Sequence, residues 1–273
     1  MLTIRASLVL ALFAVSVAAA QSTLQELMTR HGIDVSDGFD AAFDEGLGPT
    51  VAATPGSFAT PLALLVSSDG AERVSAAYAF GILAGRSGRA ASAPELAAAG
   101  QALVVMIGSG DRKSRVAGAR VAGRVFALPF DGPTARPALT PGLVEALFAL
   151  LNRDSEVEQL AAMDALGLLR ETNAVTSLTE RYNFYRDGGR RSLAGGALEA
   201  LARIGDPSTI PIARQLAADR WSDGRDATAL AVAFARERLL KDGSIAMIKA
   251  AVDDKSRRNQ ARGYLAELGA PVP

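Results

Sequence analysis

The chain has 273 residues and carries 29 basic and 29 acidic side chains, so it offers no basic excess to a nucleic-acid backbone. It has no cysteine, which excludes disulfides, thiolate metal sites, thiol nucleophiles and a lipid-modified cysteine behind an export signal. Aromatic residues make up 5% with a single tryptophan, a poor endowment for a sugar-binding cleft.

Taken in chain order, Met1 to Arg5 form a positive start, Ala6 to Val17 an apolar run, and Ala18 to Ala20 a small-residue end. This pattern predicts a secretory signal peptide over residues 1–20, cleaved after Ala20, because a membrane span needs about 20 apolar residues. The expected location is periplasmic or secreted, with no stable membrane insertion after cleavage. Residues 21–60 read as an acidic lead-in and linker containing Asp34, Asp37, Asp40, Asp44 and Glu45, without calcium-loop spacing. His31, the only histidine, stands there without the companions that a triad or a metal site requires.

Over residues 61–270 the chain is rich in alanine and leucine, and apolar residues recur at steps of three and four, which is helical periodicity. Punctuation repeats along it. Thr60 with Pro61, Thr140 with Pro141 and Asp206 with Pro207 read as helix starts, and Ser92 with Glu95 reads as a capping box over Pro94. Gly205 closes the stretch in which Leu193, Ala197, Leu198, Leu201 and Ile204 share one face.

Aligning these blocks predicts six helical hairpins with turns at Asp69, Asp111, Asp154, Asp187, Asp223 and Asp254, spaced within the range of helical arrays. Second helices carry paired small residues before a large apolar one, as in Ala76, Ala77 and Tyr78, or Ala161, Ala162 and Met163. Small residues allow close helix approach. A lone hairpin cannot bury both faces, so the expected fold is all-α, an α-solenoid of about six stacked hairpins.

The stretch Arg190 to Leu216, with its basic pair, alanine-rich helix and Ile204, Gly205, Asp206, Pro207, resembles HEAT repeats of the short bacterial type named after phycobilisome lyases. That resemblance implies an armadillo-like helical superhelix. It also implies a ladder of turn aspartates and arginines four residues later, here Asp69 with Arg73, Asp111 with Arg115, Asp187 with Arg191 and Asp254 with Arg258. Glu158 and Ala227 interrupt it in the third and fifth hairpins. The lyase activity is not carried over, since it belongs to the cytosol and this chain reads as exported.

No phosphate-binding glycine loop is present, and Gly188 with Gly189 reads as a turn. The expectation is therefore a scaffold or adaptor, not an enzyme, with no cofactor and no metal, that binds a protein partner. Arginine and aromatic residues favoured at interfaces concentrate at Arg181, Tyr182, Arg186, Arg190, Trp221 and Arg225. The competing structural reading makes Phe184 and Tyr185 plugs in the seam between the fourth and fifth hairpins. Two other functions stay open: an α/α-toroid hydrolase drawing on Asp164, Glu199 and Glu237, and a self-assembling envelope component.

Overall fold

A computed structural model describes residues 58–86, 91–127, 139–218 and 227–273. The expected signal peptide, His31, the acidic lead-in, Trp221, Asp223 and Arg225 lie outside the described residues.

Every regular element among the described residues is helical, and the twelve α-helices follow one another in six pairs. The first two pairs are α1 (Ala59–Leu64) with α2 (Gly70–Arg86) and α3 (Ala93–Ile107) with α4 (Arg112–Val125). Next come α5 (Leu143–Leu151) with α6 (Glu156–Leu168) and α7 (Val175–Asp187) with α8 (Arg191–Ile204). The last are α9 (Ile210–Ala218) with α10 (Ala227–Leu240) and α11 (Ile245–Ala250) with α12 (Arg258–Glu267). The chain divides into two compact units, residues 1–121 and 122–273, with the division inside α4.

In the first unit α1 packs on α2 and α3, and Phe58 meets Phe80 edge-on at 5.8 Å in the core. Gly118 of α4 lies so near α3 that an added Cβ would sit 3.1 Å from the Met106 and Ile107 side chains. The capping box forms as read, with the Ser92 hydroxyl accepting from the Glu95 amide and the Glu95 carboxylate accepting from the Ser92 amide.

In the second unit the paired helices pack on one another, and α8 also lies between α6 and α10, while α10 reaches α12. Small residues set these crossings. A Cβ on Gly167 of α6 would fall 2.7 Å from the Ala200 Cα of α8, and one on Gly123 would fall 2.8 Å from the Ala165 Cα of α6. Around them Met163, Leu166, Leu178, Leu198, Leu201 and Phe234 are fully buried, each contributing roughly 1.5 to 3 kcal/mol.

The second helices of this unit share a stop that the sequence shows only in part. Gly205 ends α8 at φ 72°, as expected, and Gly269 follows α12 at φ 66°. Arg170 after α6 and Lys241 after α10 take the same left-handed conformation, at φ 49° and 51°, without being glycine. Two expected starts shift. The first helix begins at Ala59, before Thr60, and α5 begins at Leu143 because Pro141 sits in a tight turn completed by Gly142 at φ 84°.

Candidate functional site

The end of α8 places one arginine inside the apolar stack. Arg203 is 4% exposed, and three carboxylates from three helices surround its guanidinium. Asp164 of α6 accepts from Nη1 at 2.6 Å, and Glu267 of α12 takes Nε and Nη2 in a two-pronged pair at 2.9 Å each. Glu199, one helical turn earlier on α8, stands 3.6 Å from Nη1.

Glu199 in turn accepts from the Tyr264 hydroxyl and, at 3.4 Å, from Gln260, which also donates to the Tyr264 oxygen at 2.9 Å. The Tyr264 ring stacks on Phe234 of α10 at 4.5 Å, and the Arg203 guanidinium lies 5.8 Å from the centre of the same Phe234 ring. The network therefore joins all four second helices of the unit.

Its electrostatics follow from burial and neighbours. Burial alone would pull the Arg203 guanidinium down, but Glu267, Asp164 and Glu199 outweigh it and hold the group charged. Burial pushes the Glu199 carboxyl above its ordinary 4.5, against the opposing pull of Arg203 and the Tyr264 hydroxyl, while Asp164 and Glu267 add repulsion. Burial and the adjacent Glu199 likewise raise the Tyr264 hydroxyl. Among the described residues no group of three or more metal-ligating side chains has the geometry to hold a metal ion.

Of the carboxylates considered for hydrolysis, Asp164 and Glu199 thus converge, but on an arginine that they share with Glu267. Glu237 lies elsewhere and accepts the Ile245 amide at 3.1 Å, fixing the start of α11. Sequence reasoning missed Arg203 and Glu267. The available signal was a charge in the last turn of an alanine- and leucine-rich helix, between Ala202 and Ile204 and one turn after Glu199.

Of the expected contact cluster, Arg181, Tyr182 and Arg186 lie on α7 and Arg190 in the α7–α8 turn. Tyr182 is 1% exposed and so is a core residue, which removes it from any contact surface. Tyr185 is buried too, but its hydroxyl reaches Gln159 of the third hairpin, and Phe184 is 69% exposed, so neither aromatic is seen to plug the seam expected between the fourth and fifth hairpins. A helix puts adjacent residues 100° apart, and Phe184 falls on the outer side. Arg186 lies over the Tyr182 ring at 5.6 Å and pairs with Asp187 at 2.9 Å.

Arg190 lies over the Tyr185 ring at 5.5 Å. Arg181 donates to the Tyr185 hydroxyl at 2.9 Å and to Asn152 at 2.6 Å, and that hydroxyl donates to Gln159 at 3.0 Å.

The residues of the expected aspartate–arginine ladder hold local backbone groups. Asp69, Asp111 and Asp254 accept the amides of residues just after them and so cap the start of the next turn or helix. Arg73, Arg115 and Arg258 each reach back six residues, to the carbonyls of Ser67, Ser109 and Val252, and pin the segment that links the first helix of the pair to the second. Gln159 does the same for the Arg153 carbonyl at 2.6 Å, which fills the gap expected at Glu158. One cross-hairpin link exists in the first unit: the Arg73 charge helps lower the Asp111 carboxyl, after the larger effects of Ser114 hydrogen bonds. Asp187 pairs with Arg186 and Arg191 is exposed.

No protein-family model matches the chain, and no curated protein matches it either. No helix among the described residues is long and apolar enough to cross a membrane.

Proposed function

We propose that this chain is an exported helical-repeat scaffold of the HEAT kind, a solenoid of hairpins that binds a protein partner and performs no chemistry of its own. The observation that carries this reading is the Arg203 network. It spends the carboxylates that a hydrolase would need, Asp164 and Glu199, on an ion cluster that ties α6, α8 and α12 together. Asp164 and Glu199 keep part of their surface open to solvent, but both are engaged by the buried Arg203 guanidinium, and Glu199 also by the Tyr264 hydroxyl, so neither stands free to exchange a proton with a substrate. The sequential packing of α6, α8 and α10 supports the solenoid, since hairpin arrays stack equivalent helices in order.

The test is chemical cross-linking of the full chain in its native envelope fraction, followed by identification of the linked proteins. The scaffold reading expects one heterologous partner whose capture survives Glu199→Gln. Self-links alone would favour the self-assembling component. A glycan-cleaving activity abolished by Glu199→Gln would favour the hydrolase and overturn the scaffold.

A further inference from the structure

The outer end of the α7–α8 hairpin combines three features that scaffolding of the fold does not require. Phe184 is a fully aromatic side chain 69% exposed, beside Tyr185 at 5.5 Å in an edge-on contact. Arg190 rests over the Tyr185 ring, and among the described residues it has no carboxylate partner. Arg181 has only neutral acceptors, the Tyr185 hydroxyl and Asn152, so its charge is also unneutralised there, and its Nε is buried without a hydrogen bond. Two positive charges and an exposed apolar ring thus all contact one buried tyrosine, Tyr185.

We propose that Phe184, Arg181 and Arg190 form a docking surface for an acidic protein segment carrying one large apolar side chain. The proposal rests on the scaffold reading and names its partner class. Charge complementarity selects carboxylates, and the apolar side chain of the segment covers the Phe184 ring. An anionic lipid surface fits less well: residues 175–204 contain no lysine, and guanidiniums oriented by a tyrosine offer fixed forks suited to carboxylates instead of mobile point charges.

The experiment is fluorescence anisotropy of the full chain with a labelled peptide of mixed glutamate and serine around one central phenylalanine. A lysine-for-glutamate peptide, an alanine-for-phenylalanine peptide and vesicles of anionic phospholipid serve as comparisons. The expected result is preference for the acidic aromatic peptide, weakened about tenfold by Phe184→Ala or by Arg190→Ala and weakened by added salt. Both positions are exposed, so thermal melting of each variant should match the parent. Equal binding of the acidic and basic peptides, or indifference to both substitutions, would overturn the proposal, as would tighter binding to the vesicles. A partner captured from the envelope with unchanged yield by Phe184→Ala would sink this surface while leaving the scaffold standing; capture of no partner would sink the scaffold itself.

Discussion

Burial of Glu199 beside Arg203 gives the cluster a pH dependence of stability, because it raises the carboxyl against the pull of the guanidinium. Glu199 titrates higher in the folded state than in the unfolded chain, so the folded protein binds the extra proton. Its contribution favours folding below its unfolded value and is lost as pH rises through the folded value, with Asp164, Glu267, Arg203 and Tyr264 facing it. Glu199→Gln keeps an oxygen for the Tyr264 hydroxyl and removes that titration. Stability of the parent should rise on mild acidification above pH 4.5 relative to the variant, a difference that urea unfolding at several pH values would read; parallel curves would contradict it.

The opposite sign holds for Asp254. The Ser256 hydroxyl and amide, then Arg257, hold its carboxyl at about 2, below its ordinary 3.8. Its stabilisation is complete above the ordinary value and is lost as pH falls through the folded one. Asp254→Asn should therefore flatten the acid limb of the stability profile between those two values, and an unaltered limb would show that the cap contributes nothing.

At the level of elements, close helix crossings depend on glycine and alanine rather than on large complementary side chains. Gly167→Ala would bring a methyl carbon to within 2.7 Å of the Ala200 backbone, which no side-chain rotation relieves. Thermal unfolding should show a loss of about 1 to 3 kcal/mol, as for other overpacked cores. A neutral result would mean that α6 and α8 separate without penalty.

Elements also show where reading from sequence succeeds. Ser92 with Glu95 and Gly205 act over one turn of backbone, so local pattern identifies them. Thr140 with Pro141 misplaces the start of α5 because Gly142 competes for the turn, and Arg170 and Lys241 stop helices in a conformation that side-chain identity does not advertise. The arginines after the turn aspartates were visible, but their carbonyl targets lie six residues back across the turn, where i to i+4 spacing does not point.

For the whole molecule, helical periodicity made the all-helical fold and its order of pairs legible, because 3.6-residue spacing survives any arrangement of helices. The central cluster was hardly legible. Only Glu199 and Arg203 are near in sequence; Asp164 lies 39 residues from Arg203 and Glu267 lies 64, and their meeting depends on how the second helices stack. Tyr182, read as a surface candidate, is buried because helix rotation decides which aromatic of the run faces inward.

On the proposed scaffold reading these acids lock the second helices together and do not await a substrate. Carboxylates gathered for catalysis repel one another, so removing one stabilises the fold, whereas removing Glu267 takes from the buried Arg203 the carboxylate that accepts from both its Nε and its Nη2. The most direct measurement is therefore the urea-unfolding free energy of Glu267→Gln at neutral pH. The lock predicts a loss of about 2 kcal/mol or more; equal or greater stability than the parent would contradict it.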